Sequence, residues 1–253
     1  ATDNIVIGVM QPGESRRIQS MLDLRAPGAG TVSPDGKRLF FGWSITGTPQ
    51  IYRLDGAMSF PTQLTGGEDS TSLATVTPDG KWLVVQRDRN GEENPGLYLL
   101  RPDGGPLTPI LHKAKVQAIF QEVSDDSKTV YFRANDVTPE SYAIYAFDIA
   151  SGKTTKIFGE PGIWSLTDLG PLDEKTKAPK RYLLEKAVGS NQSEFYELDA
   201  ATNKLTPVIG KDEKEDYVAA YGDGGEILVL TPKLGDSRRL SQPDKGKLEP
   251  ITP

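Results

Sequence analysis

Short apolar runs separated by polar turns recur along most of the chain. Leu39–Phe41, Trp82–Val85 and Thr129–Phe132 are three such runs, each bounded by clusters of Gly, Pro, Asp and Ser. Continuous apolar character over so few residues is typical of a strand that is buried on both faces. The pattern therefore predicts an all-β protein whose sheets pack face to face.

A turn sequence precedes each of these runs. Ser33–Lys37 reads Ser-Pro-Asp-Gly-Lys, Thr77–Lys81 differs only in its first residue, and Ser124–Lys128 is a looser copy, with spacings of 44 and 47 residues. Proline presets φ at the second turn position, Asp bonds its own backbone, and Gly accepts a positive φ. A hairpin that recurs at this spacing is typical of a β-propeller.

A second strand with a central tyrosine follows each buried strand. Tyr52, Tyr98, Tyr145 and Tyr196 are 46, 47 and 51 residues apart. The last of these tyrosines indicates a fourth unit whose turn sequence has diverged. A fifth unit, more divergent still, has Gly224-Gly225 as its turn.

The closing strand of a unit contains proline in three places, Pro109, Pro207 and Pro250. Because proline cannot donate a hydrogen bond to a ladder, these strands are predicted to lie at a sheet edge. In a propeller blade that edge is the outer rim.

Together these repeats predict an all-β fold, a β-propeller of about five four-stranded antiparallel blades. The predicted blades cover 29–65, 72–110, 117–158, 162–209 and 217–252. Residues 1–28 form a predicted N-terminal arm, in which Ile5–Val9 is expected to pair with Leu248–Ile251 and close the ring. A β-sandwich is the alternative, but a sandwich gives no reason for one four-strand order to recur.

Composition favours many short elements and excludes several classes of partner. The chain has 26 glycines and 19 prolines, which are poor residues for long helices. Its net charge of -6 argues against a surface for nucleic acid or an anionic membrane. No apolar run approaches the ~18 residues that a membrane-spanning helix needs. We expect neither kind of partner.

Candidate catalytic and metal-binding residues are few. A Ser-His-Asp triad would need His112, the sole histidine, and the sequence has no Gly-x-Ser-x-Gly nucleophile elbow. With one histidine and no cysteine, a zinc or copper site is not expected, and no other cofactor is indicated. Asp88–Glu93 is a partial match to a calcium loop, but Arg89 lies within it, and we interpret it as a solvated loop.

Glycosidase chemistry would need acidic side chains that converge at the propeller axis. The predicted inner strands contain Glu122, and Asp168 and Asp216 flank two others. This is a weak basis for a catalytic pair.

The order Ser-Pro-Asp-Gly-Lys, buried strand, Ile-Tyr-x-x-Asp and Leu-Thr resembles the blade repeat of TolB-type propellers and of the N-terminal propeller of prolyl oligopeptidase-family serine peptidases. Asp23–Arg25 leading into Val32–Phe41, and the junction Leu64–Asp69, are similar to bacterial dipeptidyl- and acylaminoacyl-peptidase-like members. The resemblance covers about residues 20–252. Members of that family carry more blades and an α/β-hydrolase domain, which we expect to be absent from this chain.

The resemblance implies a non-catalytic module that caps a serine hydrolase site and admits short peptides. The alternative is a self-sufficient TolB-like propeller that presents one face to a protein or peptide partner. Contacts are expected from loop residues that follow the buried strands, namely Trp43, Arg87, Arg133 and Lys186. Since the chain begins with Ala1 rather than Met, we predict a periplasmic or secreted location, with a cytoplasmic one as the alternative.

Overall fold

The computed structural model describes residues 25–233, 235, 238–244 and 247–251. Their regular structure consists of strands that form five consecutive units. The first unit contains β1 (Gly30–Val32), β2 (Leu39–Trp43), β3 (Gln50–Leu54) and β4 (Thr62–Gln63). The second contains β5 (Thr71–Val76), β6 (Leu83–Arg87), β7 (Gly96–Leu100) and β8 (Thr108–Leu111).

The third unit contains β9 (Ala118–Val123), β10 (Thr129–Thr138), β11 (Ser141–Asp148) and β12 (Thr154–Phe158). The fourth contains β13 (Ile163–Leu169), β14 (Arg181–Gly189), β15 (Gln192–Asp199) and β16 (Leu205–Ile209). The fifth contains β17 (Val218–Tyr221), β18 (Ile227–Thr231), β19 (Arg239–Asp244) and β20 (Lys247–Pro250). Within the described ranges there is no helix that could span a membrane.

Each unit is an antiparallel meander in which every strand pairs with the next along the chain. The third and fourth units share one sheet through a parallel bridge between Tyr142 and Ile163, which the sequence did not indicate. Pro109, Pro207 and Pro250 all lie on edge strands, as predicted. The predicted range 72–110 is one residue short at each end, because β5 begins at Thr71 and β8 ends at Leu111.

The second strand of the second, third or fourth unit is buried between two neighbouring units. In β6, Leu83 and Val85 pack with Phe40 of the first unit, whereas Val84 packs with Phe132 of the third. All three β6 side chains are 0% exposed. The prediction of strands buried on both faces is therefore confirmed for β6, and burial of this kind stabilises by roughly 1.5–3 kcal/mol per large side chain.

The same alternation occurs in β14 of the fourth unit. Leu184 packs with Tyr131 of the third unit, and Leu183 packs with Val229 of the fifth. Among the described residues, no hydrogen bond or core cluster joins the first unit to the fifth. The predicted pairing of Ile5–Val9, in the N-terminal arm, lies outside the described residues, so closure of the ring stays a prediction.

The turn that opens each of the first three units has one hydrogen-bonding pattern. The hydroxyl of its first residue donates to the carboxylate of its third. These pairs are Ser33–Asp35 at 2.6 Å, Thr77–Asp79 at 2.7 Å and Ser124–Asp126 at 2.7 Å. The fourth residue has a positive φ of 72° in Gly36, 69° in Gly80 and 59° in Ser127. The looser copy therefore folds as the other two do.

Ser127 has a second role that explains a hydroxyl where the other two turns have glycine. Its oxygen accepts the backbone N–H of Asp79 at 2.9 Å, so it links the turns of the second and third units. Ser127 is buried. Its positive φ is less favourable for serine than for glycine, and the hydrogen bond from Asp79 offsets part of that cost.

We expect Gly36→Ala to reduce the free energy of unfolding by about 1 kcal/mol, because a Cβ is strained at positive φ. No atom lies within 4 Å of that Cβ, so the cost is conformational. Gly42→Ala in β2 is the matched control, since its Cβ also meets open space but its φ is ordinary. Urea unfolding measures both, and equal losses would contradict the prediction.

Acid should weaken the turn of the third unit. Burial raises the pKa of Asp126, but hydrogen bonds from Ser124 and Lys128 outweigh it, so the pKa lies below its ordinary value of 3.8. The stabilisation is therefore complete above about pH 4 and is lost as the pH falls through the lowered value.

The measurement is the urea midpoint between pH 7 and pH 2. Asp126→Asn should flatten its decline below about pH 4, because the group that titrates is removed. Asp125→Asn is the control, since Asp125 accepts no hydrogen bond from the described residues. The same flattening in both variants would contradict the assignment to Asp126.

Candidate functional site

A cavity of about 660 Å³ lies beside the inner strands of the third, fourth and fifth units. It lies where each inner strand ends and the turn to the second strand of the unit begins. Its charged lining is almost wholly acidic. The lining carboxylates are Glu122, Asp125, Asp126, Asp168 and Asp223. Lys177 is the cation among the described lining residues, and Leu172 and Tyr221 are among the apolar ones.

Bulges in the inner strands help to shape this region. In β9, Gln121 is an extra residue opposite the step from Tyr131 to Phe132 in β10. In β13, Thr167 is an extra residue in the same way, opposite the step from Leu183 to Leu184. A bulge re-aims the side chains beside it, because the alternation of the strand is interrupted.

The re-aimed side chains connect neighbouring inner strands. Gln121 accepts the backbone N–H of Leu166 in the next unit at 3.0 Å. Asp168, which follows the second bulge, accepts the N–H of Tyr221 in the fifth unit at 2.8 Å. Its other oxygen accepts the N–H of Leu169, also at 2.8 Å. Asp168 is therefore a structural acceptor as well as a cavity residue.

The remaining carboxylates differ in how much they are already bonded. Asp126 is held by its own turn, and Glu122 accepts the N–H of Val123 at 3.0 Å. Asp125 and Asp223 are exposed and accept no hydrogen bond from the described residues. These two are the carboxylates that are free to meet a ligand.

The sequence singled out three acidic residues near the axis, and the structure brings two of them together. Glu122 and Asp168 both line the cavity. Asp216 does not line it and instead forms an ion pair with Arg238. Asp125 and Asp223 were missed, since they lie in turns rather than strands; the only sequence signal for Asp125 is that it replaces a turn proline.

The expectation that Trp43, Arg87, Arg133 and Lys186 lie in loops is wrong. Trp43 and Arg87 end β2 and β6, and Arg133 and Lys186 lie inside β10 and β14. Strands β10 and β14 extend beyond their apolar runs, because the backbones of Arg133 and Lys186 still pair with the strands on either side. Their role in ligand contact stays a prediction.

Trp43 and Arg87 are both engaged by nearby main chain. The Trp43 indole N–H donates to the carbonyl of Arg25 at 2.6 Å, and its ring lies 5.5 Å from that of Tyr52. Arg87 donates to the Thr71 hydroxyl at 2.7 Å and to the Gly66 carbonyl at 2.9 Å. Arg133 and Lys186 are different, because both contact Trp164.

His112 lies at the rim of the second unit, in contact with the predicted solvated loop. Arg89 donates a hydrogen bond to its Nε2, and the ring of Tyr98 lies edge-on at 5.3 Å. Burial, and then the charge of Arg89, lower the pKa of His112. No serine is hydrogen-bonded to His112 among the described residues.

The calcium interpretation of Asp88–Glu93 gains no geometric support. Asn90 donates its N–H to Asp69 at 2.8 Å, and Glu92 accepts the N–H of Lys115 at 3.3 Å. The described ranges contain no group of three or more acidic, histidine or cysteine side chains that could hold a metal ion.

Solved structures with the same architecture have unrelated activities. A prolyl endopeptidase matches with a TM-score of 0.68 and 15% identity over 90% of this chain. A putative TolB from Agrobacterium tumefaciens matches with a TM-score of 0.56 and 17% identity over 90%. The chain is a β-propeller. An oligogalacturonate lyase in complex with manganese matches with a TM-score of 0.63 and 15% identity over 87% of this chain.

The propeller covers very different shares of these proteins. It spans 36% of the prolyl endopeptidase chain, 81% of the putative TolB and 63% of the lyase. No protein-family model and no curated protein matches the sequence. At these identities the comparisons establish the fold, and the resemblance to peptidase and TolB propellers is confirmed at that level.

Asp168→Ala should loosen the junction between the fourth and fifth units. The variant leaves the N–H of Tyr221 without its acceptor, and we expect a loss of about 1–3 kcal/mol in unfolding free energy. Amide exchange at Tyr221 should become faster. Asp223→Ala is the control within the same cavity, and equal destabilisation by both variants would contradict the prediction.

Proposed function

We propose that this chain is a non-catalytic propeller module that binds a basic segment of a protein or peptide at the acidic cavity. The observation that carries the proposal is the imbalance of charge, with five lining carboxylates and Lys177 as the described cation. A cavity walled by one sign of charge attracts ligands of the opposite sign and speeds their association.

The size and the lining of the cavity favour a peptide segment over a single ion. Its volume of about 660 Å³ falls in the range of ligand pockets, roughly 300–1,000 Å³. Pro171, Leu172 and Tyr221 supply apolar surface beside the carboxylates. Lysine and arginine side chains combine an apolar stem with a charged head, and so they suit such a lining.

Two biological roles are compatible with this binding. The role implied by sequence resemblance is gating of a serine hydrolase domain, which would be supplied outside these 253 residues. The alternative is a self-sufficient interaction propeller, and the putative TolB, of which the chain covers 81%, favours it. In both roles the acidic cavity binds the basic segment, but the protein to which that segment or the propeller is delivered differs. The periplasmic or secreted location stays a prediction.

A glycosidase is less well supported. Glu122 and Asp168 both line the cavity, as that chemistry would require. Both oxygens of Asp168 accept backbone N–H groups, however, so this carboxylate already has a structural role in joining the fourth unit to the fifth.

Binding can be tested with the fluorescent peptide acetyl-Gly-Lys-Gly-Lys-Gly-Lys-amide and its glutamate counterpart. We expect the lysine peptide to bind and the glutamate peptide not to. Asp125→Asn together with Asp223→Asn should weaken binding roughly 2- to 30-fold, since each exposed ion pair contributes about 0.2–1 kcal/mol. Fluorescence anisotropy at low and high salt measures the effect, and salt should weaken it.

Glu68→Gln together with Glu140→Gln is the matched control, because it changes the net charge equally. Both residues are exposed at the opposite strand ends. An equal loss in the two double variants would mean that net charge alone drives binding and would overturn the site.

The non-catalytic part has its own control. The peptides should be recovered intact by mass spectrometry after incubation. Cleavage that persists through repurification and disappears in His112→Ala would contradict this part of the proposal.

A further inference from the structure

Two cationic side chains lie between the third and fourth units, toward the strand ends opposite the acidic cavity. Arg133 extends from β10 and Lys186 from β14, and both are half-buried. Both contact Trp164. The guanidinium of Arg133 donates to the Trp164 carbonyl at 3.4 Å, and the Lys186 ammonium lies 5.5 Å from the centre of the indole ring.

Neither cation has a carboxylate partner within the described residues. Ion pairs at 2.8, 3.9 and 3.1 Å occur for Arg53, Arg87 and Arg181. No such contact within 4 Å involves Arg133 or Lys186. The nearby carboxylate of Glu185 instead accepts the hydroxyl of Ser193.

The bonding of Arg133 is also incomplete. Its guanidinium donates to the Ser165 hydroxyl and lies 4.9 Å from the ring centre of Tyr142. Its Nε is buried and has no hydrogen-bond partner among the described residues. A guanidinium that loses water without gaining an acceptor destabilises the fold, so such groups are normally paired.

Space for the lysine is provided by a glycine. A Cβ at Gly162 would lie 3.1 Å from Cε of Lys186 and 3.1 Å from Nε1 of Trp164. The Gly162 carbonyl accepts the N–H of Tyr142 at 2.9 Å, which links the start of β11 to the segment before Trp164. Each cation lies near an aromatic ring, Arg133 near that of Tyr142 and Lys186 near that of Trp164.

We propose that Arg133 and Lys186 bind a carboxylate of the peptide ligand, a step that rests on the proposed peptide-binding function. Guanidinium groups bind carboxylates with paired hydrogen bonds, and an ammonium adds a point charge. The ligand carboxylate supplies the counter-charge that the described residues do not. It can come from a free C-terminus or from an acidic side chain.

The distance to the acidic cavity fits one extended segment. Ser165, which Arg133 contacts, precedes Asp168 by three residues in β13, or roughly 10 Å along a strand. A basic residue about three positions from the ligand carboxylate would lie level with Asp168, in the wall of the acidic cavity. The two sites are nevertheless separable, because each can be probed without the other.

The test uses peptides that lack a basic residue. These are acetyl-Ala-Ala-Ala with a free carboxylate, the same peptide as an amide, and acetyl-Ala-Asp-Ala-amide. Titration is followed by the NMR shift of the Trp164 indole N–H. We expect one or both carboxylate peptides to bind and the amide not to. Lys186→Gln and Arg133→Gln should each weaken binding at least about ten-fold, as expected for loss of a charged hydrogen bond.

Lys153→Gln is the matched control, because Lys153 is exposed in a rim turn and the charge change is the same. Binding that is equal for acid and amide, or unchanged in Lys186→Gln, overturns the proposal. If Arg133→Gln fails to fold, Lys186→Gln decides, since the Lys186 ammonium makes no hydrogen bond with the described residues. The lysine peptide should bind Lys186→Gln normally, so failure of one site is distinguishable from failure of the other.

Discussion

The fold depends on the burial of the second strand of the second, third and fourth units between two neighbouring sheets. Val84 and Leu83, adjacent in β6, pack in opposite directions, one toward the third unit and one toward the first. Neither side chain can be made polar without losing contact with one neighbour. Because the second strands of these three units hold the sheets together, the turns and the inner strands are free to carry polar side chains.

The inner strands show what this freedom permits. Their backbone is bulged at Gln121 and at Thr167, and the interruption turns Gln121 and Asp168 toward the next unit. Polar contacts thus connect the inner strands of neighbouring units. Glu122 and Asp168 lie beside these bulges, so the same strand segments that join the units supply two of the five carboxylates of the cavity.

The repeat made the strand order and the edge strands predictable, because apolar runs and prolines report directly on burial and pairing. Turn position 127 was harder, since its serine adopts a glycine-like φ that only the contact with Asp79 explains. The ends of β10 and β14 could not be predicted, because Arg133 and Lys186 interrupt the apolar pattern while the backbone pairing continues. The cavity was equally hidden, as its walls come from three distant segments.

The third turn shows how a repeat can change one position without losing its fold. Its Ser124 and Asp126 keep the hydrogen bond that forms the turn in the first two units. Asp125 occupies the place held there by Pro34 and Pro78, whose contribution is a preset φ. Hydrogen bonds already fix this turn, so it does not need the preset φ of a proline. The carboxylate of Asp125, which stands in place of the proline, lines the cavity. This departure from the repeat therefore adds a carboxylate to the cavity at no cost to the hydrogen bond that forms the turn.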